Sequence, residues 1–318
     1  MSADFSALGF RVGHDTDAAG ATGVTVFRAD TAFRAAAAVL GRATGTRELD
    51  ALDPDHLVDR VDAIVLTGGS AYGLGCADGV MRWMEERGRG YEVRVGVVPI
   101  VPAAVIFDLG PLGDARARPT AGMAHAACER AAAGFEEGSV GAGTGATVGK
   151  AAGIERAMKG GVGGHVVTAG ALSVGALVVV NALGDVRDAA GRIIAGARAE
   201  DGAFLDCAKL IASGAAAGPR PASGNTTLVV IATNAALSRL QLRQVARAAG
   251  AGLSRRITPV GTSFDGDVIF AAAPLEGIAA PPIQVEAMAV DALEQAIERA
   301  VRAARGRDGV PGLADAKR

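Results

Sequence analysis

From Ala171 to Ile194 the chain carries one β-rich run after another, turning at Leu183-Gly184-Asp185 and at Ala190-Gly191, with no helical segment between the runs. Parallel neighbours need a crossover of a dozen or more residues, so strands joined this tightly run antiparallel. Further runs rich in β-branched residues and bounded by glycine or proline predict strands at Gly23 to Phe27, Val61 to Leu66, Val101 to Phe107, Thr226 to Thr233 and Asp267 to Ala272. Helical spacing is clearest over Val285 to Arg305, where Leu293, Ile297, Ala300, Val301 and Ala304 share one stripe. A second helix starts at Ser238, which forms a capping box with Gln241, and is predicted to stop at Gly250. Gly73 to Arg87 and Thr120 to Ala133 complete the helical set. Helices and strands do not alternate regularly, which favours an α+β fold over a doubly wound sheet.

Composition narrows the partners. With 32 basic and 34 acidic residues scattered among one another, the chain has no basic footprint for nucleic acid. The three cysteines, Cys76, Cys128 and Cys207, are odd in number and widely spaced, which predicts neither a disulfide framework nor a zinc site and suits a reducing cytoplasm. The first ten residues lack the basic start and apolar core of an export signal, and no apolar run is long enough to span a membrane. Glycine accounts for 45 of 318 residues while Phe, Trp and Tyr total 12, so close backbone approaches are expected.

Gly141-Ala142-Gly143-Thr144-Gly145-Ala146 fits the dinucleotide pattern G-x-G-x-x-A, but acidic, turn-like Phe135-Glu136-Glu137-Gly138 stands where a strand should precede it. Gly149-Lys150 resembles the end of a P-loop, yet Thr144 replaces the first glycine and Ala151 the required hydroxyl. The esterase elbow G-x-S-x-G fails at Ser70, because Tyr72 takes the place of the last glycine. His14, His56, His125 and His165 show no metal-ligand spacing. A serine or cysteine triad therefore lacks its base, and no metal or cofactor is expected.

What remains is a junction. Ala212 to Gly224 is made of Gly, Ala, Pro and Ser with a single arginine, and reads as an exposed, mobile linker; Asn225-Thr226-Thr227-Leu228-Val229-Val230-Ile231 follows at once as a core strand. If the bond before Thr226 were cut, Thr226 would own an α-amine of unperturbed pKa near 7.7–8.0, a general base within reach of its own hydroxyl. Taken alone, the same residues also describe a turn asparagine followed by an ordinary strand.

Over most of its length the sequence resembles the P1 family of self-processing peptidases, which includes L-aminopeptidase/D-esterase, β-peptidyl aminopeptidases and nylon-oligomer hydrolase. The likeness is carried by Val12-Gly13-His14 with Thr22 to Val26, Leu66 to Leu74, Val101 to Asp108, Gly141 to Lys150, the Asn181 strand, Gly224 to Thr227 and Asp265-Gly266-Asp267. It implies one αββα sandwich of N-terminal-nucleophile type, made as a precursor that cuts itself between Asn225 and Thr226. The products would be an α chain of residues 1–225 and a β chain of 318 − 225 = 93 residues, both in the same domain. The resemblance implies Thr226 as nucleophile, with Asn181 donating to the oxyanion, Lys150 lowering the pKa of the new amine, and Asp265 and Asp267 orienting Lys150 and the nucleophile. Tyr72 is implied at the substrate pocket, and a homotetramer of αβ units acting on small peptides or oligoamides is expected.

Serine members carry Ser-x-Glu where this chain has Asp265-Gly266-Asp267, so a site for a free substrate amine does not transfer directly. The Thr226, Asp265 and Asp267 set is closer to nylon-oligomer hydrolase, which cleaves internal amides. Strict aminopeptidase action is the first alternative, and acyl transfer to an amine in the manner of ornithine acetyltransferase is another. A nucleotide-binding protein and an uncut, non-catalytic relative are the rivals from other classes.

Overall fold

The computed structural model describes residues 2–110, 112–216 and 224–317. The elements that position the site are, in chain order, β1 (Phe10–Asp17), β2 (Thr22–Val39), β3 (Val61–Thr67), α1 (Cys76–Glu85), β4 (Ala103–Val105), α2 (Ala121–Arg130), β5 (Gly161–Ala169), β6 (Leu172–Asn181), β7 (Thr226–Thr233), α3 (Arg239–Arg256), β8 (Val268–Pro274) and α4 (Pro282–Arg302). The strands join as β5-β6-β7-β8-β2-β3-β4, with β1 also on β2. Neighbours are antiparallel except for β7 with β8 and β3 with β4.

One long strand belongs to both halves of this arrangement. The first half of β2 pairs with β1 and β3, its last seven residues, Phe33–Val39, pair with β8, and the register against β3 breaks between Arg28 and Phe33. A strand that changes sheets at such an irregularity turns a continuous ladder into two facing layers. Side chains alternate faces along a strand. Val229, Ile231, Ile269 and Ala271 therefore pack outward against Leu242, Val245, Leu293 and Ile297 of α3 and α4. Their neighbours Leu228, Val230 and Phe270 point inward and meet Phe10, Phe27, Ile64 and Leu66. On the far side Val24, Val26 and Val65 pack against Val80 and Met84 of α1 and Ala124 and Ala127 of α2. The order is helix, sheet, sheet, helix, and strands buried on both faces read as unbroken apolar runs. The expected α+β sandwich is what the chain forms.

Scarcity of aromatics is offset by close backbone contact. A Cβ on Gly163 of β5 would lie 2.1 Å from the Ala296 carbonyl oxygen of α4, so glycine there lets helix and strand touch.

Several element bounds differ from expectation. Helix α3 does not stop at Gly250, because Ala249 and Leu253 continue its buried stripe and offset the roughly 1 kcal/mol that a mid-helix glycine costs. The capping box at Ser238 and Gln241 is present as expected. The strand expected over Val101 to Phe107 shortens to Ala103–Val105. β1 and the glycine-rich β5 were not expected as strands; glycine weakens the local signal, while the one strand that each pairs with, β2 for β1 and β6 for β5, supplies the ladder. In the predicted linker, Ala212 closes a short helix, Cys207–Ala212, and 213–215 are exposed; 217–223 lie outside the described residues. The three cysteines are buried and free, and no helix among the described residues is long and apolar enough to cross a membrane.

Candidate active site

Three strand ends and one turn meet at Thr226. The first residue of β7, Thr226, faces the last residue of β6, Asn181, in antiparallel register. Asn225 bridges Asp265 in parallel register on the other side, just ahead of β8. Lys150 arrives on a turn entered through Gly149, whose φ of +76° suits glycine. Its backbone is pinned to the loop after β6 by Gly149 N–H donating to Gly184 O at 3.0 Å and Lys150 N–H to Leu183 O at 2.9 Å. Thr226, Asn181, Lys150, Asp265 and Asp267 are all buried.

The bond between Asn225 and Thr226 is gripped from several directions. The Thr226 hydroxyl donates to Asn225 O at 2.6 Å, and the Gly266 N–H donates to the same oxygen at 2.8 Å. One residue upstream, Gly224 O accepts from Lys150 Nζ at 3.1 Å and from Asn181 Nδ2 at 2.9 Å. Asn181 spends its second amide hydrogen on Phe107 O at 3.2 Å. Its Oδ1 accepts from Lys150 Nζ at 3.0 Å and from Thr147 N–H at 3.0 Å, which fixes the orientation of the amide. Lys150 completes a set of three acceptors with Asn181 O at 3.0 Å, matching the three hydrogens of an ammonium.

Charge is balanced locally. Burial lowers the Lys150 amine to about 7, opposed by the nearby carboxylates of Asp265, Asp108 and Asp267. Burial, with the Asp265 charge adding to it, pushes the Asp267 carboxyl up to about 7, while hydrogen bonds from Thr227 and Gly261 oppose the rise. Asp265 is raised as well, chiefly by burial. Asp267 Oδ1 accepts from Thr227 N–H at 2.6 Å and so fixes the residue following Thr226; Asp265 Oδ2 accepts from Thr262 N–H at 2.7 Å.

Five of the six side chains singled out in the sequence thus share one buried cluster. Tyr72 stands apart in its contacts: it is exposed, with the Arg118 guanidinium 4.9 Å from its ring centre. Gly266 was read only as a turn between two aspartates. A Cβ there would lie 2.8 Å from Thr226 Oγ1 and 2.5 Å from Ala43 O, so glycine is required where the backbone passes the hydroxyl. Its N–H contact leaves no mark in residue spacing. The whole Gly141 to Lys150 segment is buried, which leaves no open loop for a nucleotide phosphate. Of the histidines, the half-buried His14 is held by Thr25 Oγ1 at 2.9 Å and His125 by Glu86 at 2.9 Å nearer the surface.

The four-layer sandwich has counterparts among solved structures. An L-aminopeptidase D-Ala-esterase/amidase from Ochrobactrum anthropi, described as a variant of the Ntn hydrolase fold, matches with a TM-score of 0.70 at 22% identity over 98% of this chain and 90% of its own. A β-aminopeptidase from Burkholderia sp. matches with a TM-score of 0.67 at 24% identity, over 100% of this chain and 94% of its own. The architecture is therefore that of the Ntn hydrolases. The chain belongs to peptidase family S58, whose family model matches residues 7–313, and it is a hydrolase acting on amide bonds. Among curated relatives, an uncharacterized aminopeptidase of Mycobacterium leprae is 43% identical over 95% of this chain and 91% of the relative. A 6-aminohexanoate-oligomer endohydrolase of Kocuria sp. is 33% identical over 84% of this chain and 73% of the relative.

Proposed function

We propose that the chain is a precursor that cuts itself between Asn225 and Thr226 and then hydrolyses amide bonds through an acyl-enzyme on the Thr226 hydroxyl. The observation that carries this reading is the pair of contacts on Asn225 O, from the Thr226 hydroxyl at 2.6 Å and from the Gly266 N–H at 2.8 Å. The first supports the Thr226 hydroxyl as nucleophile, since it lies beside the carbonyl that this reading has it attack. The second supplies a donor where negative charge develops, a contribution of about 3–4 kcal/mol per donor in acyl transfer.

In self-cleavage, Thr226 Oγ bonds to the Asn225 carbonyl carbon, the C–N bond breaks, and the hydroxyl proton ends on the departing nitrogen, which becomes the Thr226 α-amine. Water then hydrolyses the Asn225 ester to a carboxylate and a free hydroxyl. In turnover the α-amine takes the hydroxyl proton as Thr226 attacks a substrate amide, passes it to the leaving amine, and activates the water that releases the acyl group. Lys150 keeps the α-amine unprotonated by its charge. Asp267 holds Thr227, and with it the start of β7; Asp265, bridged to Asn225, flanks Lys150. The active unit is a homotetramer of αβ units working on peptides or oligoamides in the cytoplasm, without metal or cofactor.

A strict aminopeptidase is the second reading, favoured by the aminopeptidase names of the relatives at 43% identity. The test of the main proposal is intact mass under denaturing conditions with N-terminal sequencing. The native protein should give two chains, the smaller beginning Thr226-Thr227-Leu228, and Thr226→Ala should give one inactive chain of 31.7 kDa. An active, cleaved Thr226→Ala would remove Thr226 as the nucleophile.

A further inference from the structure

We infer that Lys150 and Asn181 form a substrate subsite for an amide carbonyl one residue to the acyl side of the bond being cut, so that the preferred substrates are oligoamides whose acyl residue is itself N-acylated. This rests on the self-cleavage reading above. In the uncut chain the segment 224–226 is bound as a substrate would be: Asn225 supplies the acyl residue and Gly224 the residue before it. The Gly224 carbonyl receives two donors at once, Lys150 Nζ at 3.1 Å and Asn181 Nδ2 at 2.9 Å.

Neither donor is free to turn elsewhere. Asn181 is held in orientation by Thr147 N–H on its Oδ1 at 3.0 Å, and its other amide hydrogen is taken by Phe107 O at 3.2 Å. Lys150 has its remaining donors on Asn181 O and Oδ1, both at 3.0 Å. When the α-chain end withdraws, one N–H of each side chain loses its acceptor inside a buried site, and a buried donor without an acceptor is costly. A substrate carbonyl at the same place restores both bonds. An acyl residue with a free amino terminus has no such carbonyl, and it sets an ammonium about one peptide unit from the Lys150 ammonium, in surroundings where like charges repel strongly. A site built to bond a polar group discriminates against a substrate lacking it.

The experiment compares two p-nitroanilides on the purified, cleaved protein: N-acetyl-asparagine p-nitroanilide, which carries the carbonyl, and asparagine p-nitroanilide, which carries the free amine. We expect kcat/KM for the acetylated compound to be higher by about tenfold or more. The free-amine compound should also gain as pH rises through the pKa of its own amine. Equal rates, or preference for the free amine, would overturn the subsite while leaving Thr226 and self-cleavage in place. Hydrolysis of neither compound by a protein whose mass shows the cut would overturn it as well. A chain that stays uncut and hydrolyses neither would overturn the self-cleavage reading, and the subsite with it.

Discussion

Lys150 and Lys159 are both buried, both are lowered by that burial to about 7, and they face different partners. Lys159 donates to Thr144 O at 2.7 Å and Ala146 O at 2.6 Å, and so closes the glycine-rich loop on itself. Lys150 donates to Asn181 and to Gly224 O, an atom belonging to the segment that precedes the proposed cut. The first grips only parts of the scaffold; the second also grips a segment that would depart under the proposed cut. Burial and a displaced pKa therefore do not separate a structural lysine from the one proposed to work. What each nitrogen faces does.

The comparison breaks most sharply at Asn181, the partner Lys150 has and Lys159 lacks. Asn181→Ala removes a donor from Gly224 O and the anchor of Lys150, and should slow both self-cleavage and amide turnover by about a hundredfold or more with the fold intact. Circular dichroism and the rate of appearance of the smaller chain would show this; unchanged rates would detach Asn181 from the chemistry. Lys150→Met comes next, with a loss of about tenfold to a hundredfold in self-cleavage and a small change in melting temperature. Stability is spared because Gly224 O keeps Asn181 Nδ2, and Asn181 Oδ1 keeps Thr147 N–H. Lys159→Met should reverse the pattern: cleavage within a few fold of normal, and stability lower by about 1–3 kcal/mol, since the buried Thr144 carbonyl loses its lysine donor. If both variants lost cleavage equally, the division between scaffold and working lysine would collapse.

The sequence made the strands and long helices legible because both faces of the sheets are buried, and that leaves continuous runs such as Leu228–Ile231. It was silent where the backbone carries the information. β5 holds too much glycine to stand out as a strand in the sequence, and the bend that makes β2 serve two sheets shows in no residue pattern. At the site, the resemblance singled out the side chains and the fold brings five of them together. The roles of Gly266 N–H, Phe107 O and Gly224 O could not be read, because a backbone group has the same identity at every position. Asn181 shows the limit most clearly. Its amide was expected at the oxyanion, whereas in the uncut chain its Nδ2 donates to the carbonyls of Phe107 and Gly224.

The smallest effect follows from the shifts themselves. Burial lowers Lys159 from 10.5 to about 7, so between these values the unfolded chain holds a proton that the native chain has released, and stability rises with pH across that window. Asp267 works in the opposite sense below it: raised from 3.8 to about 7, it keeps its proton in the native state while the unfolded chain has lost it, and its contribution falls as pH climbs from 3.8 to 7. In the uncut Thr226→Ala background, Lys159→Met should flatten part of the gain in melting temperature between pH 7 and 9, leaving the part owed to Lys150, which is shifted in the same direction. Asp267→Asn should leave that upper gain alone and remove a decline between pH 5 and 7. A Lys159→Met variant that kept the full upper gain would mean that the loop releases its lysine to solvent in the native state, and the contrast with Lys150 would then be one of exposure instead of partners.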